Sequence, residues 1–317
     1  MTMTMDKIQF GPDKSQILRG LAIIFMIILH NNCPIPGFKI CVPIFTFLVG
    51  YGYAFASRKN IRHGMKRIWH LLSHFWLILL GIFLPVAILM GDYQPTIGNV
   101  LENMFGLESN LNWYSWYIYF YIYAMIVMIP ISRIINRFKI PAILILICIC
   151  FVMVYLFHQI PNWSDNIWIQ AIHDCVLCSP VMFVGFYLAD KKIVPKLSVP
   201  QGVSGIILSL ALMIITFAIR NIPYMGLIDW IVVPTFCIAT VALFNVLTWH
   251  PVQGCMIALG IESMNMWFLH ALFATAVTAP LLAPMIDWIE PLCLRIVTMI
   301  IVSYLGARIT TAIYNKL

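Results

Sequence analysis

Charged residues are scarce in this sequence. Lys, Arg, Asp and Glu make up 10% of its 317 residues, against about 25% in soluble domains. Hydrophobic residues reach 62% instead. This composition excludes a soluble protein and predicts a multi-pass membrane protein that is surrounded by the lipid bilayer. Internal repeats and long polar segments are also missing, so we expect a single domain over residues 1–317.

Cysteine motifs that would indicate a metal site or a disulfide framework are weak. The nine cysteines are scattered, and most of them lie inside apolar runs. Cys175 and Cys178 form a CxxC, but neither a second pair nor histidines at metal-ligand spacing accompany them. We therefore interpret the cysteines as small buried hydrophobic residues and predict no metal.

The apolar runs predict an all-α fold, a polytopic membrane helix bundle of about ten transmembrane helices. Pro, Gly, Asn and clusters of charge separate the runs. The predicted helices cover residues 15–32, 40–57, 68–90, 113–132, 140–158, 167–189, 202–220, 227–247, 253–278 and 291–313.

Positive charge is distributed unevenly between the two sides of this bundle. Of the nineteen Lys and Arg residues, only Lys39, Arg220 and Arg295 fall opposite the N-terminus, which leaves sixteen on the N-terminal side. Because cytoplasmic loops are enriched in Lys and Arg, both termini are predicted to be cytoplasmic. The net charge of +7 is thus explained by topology, and no nucleic-acid partner is expected.

Two polar residues flank the first apolar run, ILRGLAIIFMIILHN. Ten residues separate Arg19 from His30. Eleven helical steps turn about 1100°, which is three turns plus roughly 20°, and rise about 16 Å, so both side chains should lie on one face. An imidazole at that depth is a functional candidate, and the alternative is a packing histidine bonded to a neighbouring helix. Arg19 also fits the ordinary positive-inside bias.

A basic stretch, RKNIRHGMKR, follows the second apolar run. It contains Arg58, Lys59, Arg62, Lys66 and Arg67. These side chains and Arg19 could form a cradle for the phosphates of a nucleotide-bearing donor. Ordinary anchoring at the cytoplasmic surface explains the same charges, and the sequence leaves both interpretations open. His70 and His74 continue one helix face from Arg67, either as an interfacial stripe or as part of a pocket.

The late segment ALGIESMNMWFLHALF also carries polar residues within an apolar run. Ser263, Trp267 and His270 recur at intervals of four and three, which places them on one helix face, and Glu262 lies beside that face. A carboxylate and an imidazole inside a membrane helix need partners. Glu262 could orient a histidine or pair with a loop arginine, and a purely structural ion pair is an equal alternative.

Two groups near the predicted outer ends of helices could contact a sugar. Trp116 belongs to the aromatic run NWYSWYIYFYIY, although such runs are more typical of an interfacial belt. His173 and Asp174 could accept hydroxyl protons from a saccharide, or they could only close a local hydrogen-bond network.

Together these segments resemble the acyltransferase-3 family of integral membrane acyltransferases. The first run reproduces the family's signature of Arg, ten residues and His within LRGLAI. FTFLVGY is similar to its Phe-Phe-x-x-Ser-Gly-Phe segment, with Val49 where serine is usual. Arg67 and Ile68 match the end of its arginine-rich third-helix entry, although the usual proline is absent. LGIESMNMWFLH is similar to its Leu-Gly-x-x-Ser-x-x-x-Tyr-Leu-x-His.

The resemblance implies transfer of an acyl group from cytoplasmic acyl-CoA, usually acetyl-CoA, to a hydroxyl of a cell-envelope or lipid-linked glycan. His30 would act as general base or as transient acyl carrier, together with Arg19. The residues assigned to the donor are Arg19, Arg62, Lys66 and Arg67. The residues assigned to the acceptor are Trp116, Glu262, Ser263, Trp267 and His270. The expected location is the bacterial cytoplasmic membrane.

Two other functions fit parts of the sequence. A transporter or flippase for a glycan or lipid-linked intermediate would also have about ten helices and inward charges, but transporters often show duplicated halves, which this chain lacks. A catalytically silent subunit of an export complex is the third possibility, and the presence of Arg19 and His30 disfavours it. The acceptor, the acyl chain length and the oligomeric state do not follow from the sequence.

Overall fold

The computed structural model describes residues 4–56, 61–90, 95–108, 111–112, 116–222, 225–274, 282, 285 and 288–316. Its helices are α1 Pro12–Leu29, α2 Cys41–Ala54, α3 Ile61–Leu89, α4 Ile97–Met104, α5 Tyr117–His158, α6 Ile167–Asp190, α7 Gly202–Arg220, α8 Asp229–Val246, α9 His250–Leu269 and α10 Leu292–Tyr314. Two short strands, β1 Met5–Lys7 and β2 Ser198–Pro200, pair antiparallel. The predicted all-α membrane bundle is therefore confirmed.

Eight helices within the described ranges are long and apolar enough to cross a membrane. α1 is a less apolar helix because its 18 residues include the charged side chains of Asp13, Lys14 and Arg19. It is nevertheless central in the bundle, since its contacts with α9 and α2 are extensive. Which side of the membrane holds the termini stays a prediction.

The predicted fourth and fifth helices meet directly, with no loop between them. α5 runs through 42 residues, about 63 Å at 1.5 Å per residue, which is twice the roughly 30 Å of a bilayer core. Its backbone breaks at Lys139, where φ is 56° and ψ is −134°, and Pro141 follows two residues later. The helix therefore consists of two arms of membrane-spanning length that meet at Lys139.

Several predicted helix boundaries were wrong. α3 begins at Ile61 and not at residue 68, because its first turns are helical but amphipathic and lack the apolar run that marked the prediction. α1 ends at Leu29 and not at residue 32, since Asn32 adopts a left-handed φ of 58°. α9 ends at Leu269 and continues only as a 3₁₀ turn to Leu272; residues 275–278 of the predicted helix lie outside the described part of the chain.

Three short elements, β1, β2 and α4, were not predicted from the sequence. The N-terminal leader contains β1, whose Met5 pairs with Pro200 and whose Lys7 pairs with Ser198. The predicted loop over residues 91–112 contains the amphipathic helix α4, which is capped by the Thr96 side chain accepting from the backbone N–H of Asn99. Three-residue strands and two-turn helices carry too little periodicity to be recognised.

Glycines bring α1 and α9 into backbone contact. A Cβ added to Gly20 would overlap the carbonyl oxygen of Met256, and one added to Gly260 would overlap the carbonyl oxygen of Gln16. The two contacts are reciprocal, because each helix supplies one glycine and one carbonyl. Small residues permit such close approach between membrane helices. This crossing sets Arg19, which follows the first turns of α1, beside the middle of α9.

A second reciprocal crossing joins α2 to α6. Gly50 lies against the carbonyl of Met182, and Gly185 lies against the carbonyl of Phe47. The side chain of Phe47 is fully buried at this contact. The two crossings hold α1, α2, α6 and α9 as a rigid centre, and α3 and α5 pack around it to enclose the cavity described next.

Candidate active site

A cavity of about 520 Å³ lies between α1, α2, α3, α5 and α9. This volume is typical of small-molecule sites. Its polar lining residues are Arg19, His63, Lys66, Arg67, His70 and Ser263. Its aromatic lining residues are Phe45, Tyr117, Tyr121, Trp267 and Phe268. The cavity therefore has both a cationic and an aromatic part.

The first turns of α3 supply most of the cationic part. His63, Lys66, Arg67 and His70 follow one another at intervals of three, one and three residues, so a single helix face carries them. From Ile61 onward the predicted basic loop is therefore helical, and one face of this helix carries the cations. On the facing helix, Gly52 leaves open space, since an added Cβ would come only within 4.0 Å of Arg67 Nη2.

Arg19 reaches the same cavity from α1. Among the described residues, Arg19, Lys66 and Arg67 have no carboxylate within ion-pair distance. Three cations that converge on one cavity repel one another, and an anion bound between them would relieve that repulsion. Guanidinium groups suit phosphate oxygens in particular. The arrangement is that of an anion site at the cavity mouth.

Trp267 forms the aromatic part together with its neighbours. Its ring centroid lies 5.1 Å from that of Phe45 in an edge-to-face arrangement and 4.9 Å from that of Tyr117. Ser263 lies one turn earlier on α9, and its hydroxyl donates to the Gly260 carbonyl at 2.8 Å. This wall is suited to an apolar chain, with the Ser263 hydroxyl as a polar group at its side.

His30 and His270 form a direct pair. His30 Nδ1 lies 2.9 Å from His270 Nε2, and the two imidazole planes are inclined by only 11°. His270 Nδ1 lies 2.6 Å from the carbonyl oxygen of Trp267. His30 is partly exposed as the capping residue of α1, whereas His270 is fully buried. Neither histidine lines the cavity, and the pair is connected to it through Trp267, whose carbonyl contacts His270 and whose ring bounds the cavity.

Sequence reasoning named both histidines but did not pair them. They are 240 residues apart, and only the α1–α9 crossing brings them together. A signal was nevertheless available, because the charge-based topology places the end of the first helix and the late part of the ninth on the same side of the bundle. Two intramembrane histidines on one side are candidates for mutual hydrogen bonding.

Glu262 faces away from the cavity. Its carboxylate is 4% exposed, its Oε2 accepts a hydrogen bond of 2.7 Å from the Thr311 hydroxyl, and its Oε1 lies 3.7 Å from Arg308 Nε. Thr311 also accepts from Asn265 at 2.9 Å, and Asn265 Oδ1 lies 3.1 Å from His74 Nδ1. This network joins α9 to α10 and α3, which matches the structural alternative. The assignment of Glu262 to acceptor binding stays a prediction.

Other predicted residues also lie outside the cavity lining. Arg62 is exposed on α3. Trp116 precedes α5, with its ring centroid 5.8 Å from that of Tyr117. Arg58 and Lys59 fall outside the described residues. Contacts of Arg62 and Trp116 with substrates therefore stay predictions.

His173 and Asp174 form a local network. His173 Nδ1 lies 3.0 Å from Asp174 Oδ1, and the Tyr119 hydroxyl donates to Asp174 Oδ2 at 3.2 Å. The ring of Trp163 packs on His173 with centroids 4.3 Å apart. The sequence left open whether these residues bind a sugar or only one another, and the observed contacts are those of the second alternative.

Comparison with known protein families adds to this geometry. The model of the acyltransferase-3 family, described as an acyltransferase domain, matches residues 14–308. The chain belongs to this family. The matched region contains the cavity and both histidines, so this acyltransferase domain includes the site. No curated protein and no solved structure matched the chain. The protein is thus a membrane-embedded acyltransferase, and the transporter alternative has no support.

Proposed function

We propose that the protein transfers an acyl group, most simply acetyl, from acyl-CoA to a hydroxyl of a cell-envelope or lipid-linked glycan at the bacterial cytoplasmic membrane. The observation that supports the proposal is that Trp267 connects the cavity to the histidine pair, which itself lies outside the cavity lining. One cavity joins the cations Arg19, Lys66 and Arg67 to the ring of Trp267, and the backbone of Trp267 holds the histidine pair.

The cationic mouth suits the nucleotide end of acyl-CoA. Arg67 and Arg19 present guanidinium groups from two different helices, and such groups form paired hydrogen bonds with phosphate oxygens. Eleven residues along α1 correspond to about 16 Å between Arg19 and His30. A long flexible pantetheine arm can cover this distance, while the aromatic wall at Trp267 accommodates its apolar end.

His30 supplies the reactive nitrogen in this proposal. As general base, it takes the proton of the acceptor hydroxyl while the hydroxyl oxygen bonds to the thioester carbonyl carbon. The carbon–sulfur bond then breaks, and the sulfur leaves with the bonding electrons and takes the proton from His30. As acyl carrier, His30 would first attack the thioester itself and release CoA, and the acceptor would then remove the acyl group. Both routes yield an ester and free CoA.

The direct test is turnover of acetyl-CoA by purified protein in detergent. We expect the wild type to bind acetyl-CoA and slowly release free CoA. His30→Ala should lower release by about 10²-fold or more while retaining donor binding, and His250→Ala should change neither property because His250 is exposed at the start of α9. Arg67→Ala should weaken binding, whereas Arg137→Ala, an exposed arginine outside the cavity, should not.

Two results would contradict the proposal. Absence of binding and turnover with every acyl-CoA tested, from acetyl to long-chain, would remove the donor assignment. Full turnover by folded His30→Ala would remove the chemical role of His30. Rapid quenching with labelled acetyl-CoA separates the two routes, since label on the wild-type protein that is missing from His30→Ala indicates the carrier route.

A further inference from the structure

The protonation of His270 follows from its neighbours. Its Nδ1 lies 2.6 Å from the carbonyl oxygen of Trp267 and 3.3 Å from that of Met266. A carbonyl oxygen can only accept a hydrogen bond, so the proton must lie on Nδ1. The ring is 0% exposed, and a charged imidazole removed from water is costly. In the neutral ring, Nε2 therefore carries the lone pair.

This assignment determines the tautomer of His30. His270 Nε2 has only a lone pair to offer, and His30 Nδ1 lies 2.9 Å away. His30 Nδ1 must then carry a proton and donate it to His270. A neutral imidazole has one protonated nitrogen, so the lone pair of His30 lies on Nε2, on the side of the ring away from His270.

We infer that His270 is a positioning residue, which holds His30 as the tautomer with the proton on Nδ1 and the lone pair on Nε2. The inference rests on the proposed function, and it changes the assignment of His270 from acceptor binding to orientation of His30. Two hydrogen bonds connect these groups in sequence, from the Trp267 carbonyl to His270 and from His270 to His30. Each member acts on the next through a defined hydrogen bond, as an orienting group does in hydrolase triads.

The same hydrogen bond supports the reaction step. When His30 Nε2 takes the proton of the acceptor hydroxyl, the imidazole becomes positive, and its Nδ1–H then donates a charge-assisted bond to His270 Nε2. This hydrogen bond is stronger when His30 is charged than when both rings are neutral. It therefore stabilises the transition state of proton transfer more than it stabilises the complex with bound substrates. Passing the Nε2 proton to the leaving sulfur restores the original tautomer. His270 gains and loses no proton.

Three substitutions test the inference. His270→Phe keeps an aromatic ring and removes the acceptor, so we expect kcat for CoA release to fall about 10²-fold, with KM for acetyl-CoA unchanged. His270→Gln can place an amide oxygen near the former Nε2, so it should recover at least a tenth of the wild-type kcat. Because the two histidines act as a unit, His30→Ala combined with His270→Phe should be no slower than His30→Ala alone.

A measurement independent of activity uses ¹⁵N-labelled histidine. Comparison with His30→Ala identifies the His30 signals, and their ¹⁵N shifts distinguish a protonated from an unprotonated ring nitrogen. We expect His30 to be protonated on Nδ1 in the wild type and to become a mixture of tautomers in His270→Phe. Protonation of wild-type His30 on Nε2 would overturn the inference.

The outcomes separate this inference from the proposed function. If the wild type does not turn over acyl-CoA, or folded His30→Ala is fully active, the proposed function fails. If wild type and His30→Ala behave as proposed but folded His270→Phe retains wild-type kcat, the inference fails alone. Equal loss in His270→Phe and His270→Gln, with the His30 tautomer unchanged, would mean a packing role for His270 and would also overturn it.

Discussion

Gly260 of α9 lies against the backbone carbonyl of Gln16 of α1, with no room between them for a Cβ. The contact fixes how far apart these helices lie, and therefore where His270 stands relative to His30. We predict that Gly260→Ala destabilises the fold by about 1–3 kcal/mol, the usual cost of overpacking a close contact, and lowers turnover. Thermal unfolding in detergent and CoA release measure the two effects.

Gly254 offers a matched control on the same helix. An added Cβ there meets nothing within 4 Å, so Gly254→Ala should leave turnover unchanged and should stabilise α9 by up to about 1 kcal/mol through helix propensity. Equal unfolding temperatures for Gly254→Ala and Gly260→Ala would show that the α1–α9 contact is looser than the structure indicates.

The α1–α9 crossing shows which features of the site could be predicted from the sequence and which could not. The long apolar runs predicted the all-α bundle, and the spacing of Arg67, His70 and His74 predicted a shared helix face, of which Arg67 and His70 line the cavity. The histidine pair could not be predicted as a contact, because it depends on which helices cross and how closely. The distance between these helices is set by the contacts of Gly20 and Gly260 with backbone carbonyls. A single sequence shows only that these two residues are small.

Local backbone geometry was the second feature that could not be predicted from the sequence. The sequence predicted separate fourth and fifth helices, but not that they meet at Lys139 without a loop, because this residue type does not favour a φ of 56°. The start of α3 was missed because its first turns are polar on one side, so hydropathy placed the boundary too late. Hydropathy reports burial in lipid, whereas the cationic part of the site is built on a helix end that is not buried in this way.

Open space at Gly52 gives a prediction about the donor. Gly52 lines the cavity, and an added side chain would extend toward Arg67. We expect Gly52→Leu to raise KM for acetyl-CoA about tenfold by occupying volume that the donor needs, with little change in stability because no close contact is broken. Gly254→Leu, on open surface, is the control. An unchanged KM would place the donor elsewhere in the protein.

The guanidinium of Arg67 should be more than a positive charge. Lysine keeps the charge but lacks the planar fork that pairs with phosphate oxygens, so we expect Arg67→Lys to weaken acetyl-CoA binding about fivefold and Arg67→Ala to weaken it further. Arg137→Lys provides the control, since Arg137 is exposed and packs over the ring of Phe138 at 5.2 Å. Binding measured by isothermal titration tests the series. Wild-type affinity in Arg67→Ala would exclude this residue from the donor site.

Substitutions of Glu262 distinguish a structural role of its carboxylate from a role in substrate binding. Its main partner is the Thr311 hydroxyl, because the contact with Arg308 is long and Arg308 is 62% exposed. Exposed ion pairs contribute little. Glu262→Gln keeps an oxygen for Thr311, so its stability should be close to that of the wild type. Glu262→Ala removes the acceptor from a buried network and should cost about 1–3 kcal/mol.

The effect of the Glu262 variants on activity is measured as transfer of labelled acetyl from acetyl-CoA to the glycan of membrane vesicles, at equal amounts of folded protein. We expect both Glu262→Gln and Glu262→Ala to retain transfer once folding is accounted for, since the carboxylate is occupied by the Thr311 hydroxyl. Thr311→Val should destabilise the protein as Glu262→Ala does, and the double variant should add little because the two residues share one bond. If stable Glu262→Gln loses transfer while CoA release continues, the carboxylate contacts the acceptor and the network is not its main role.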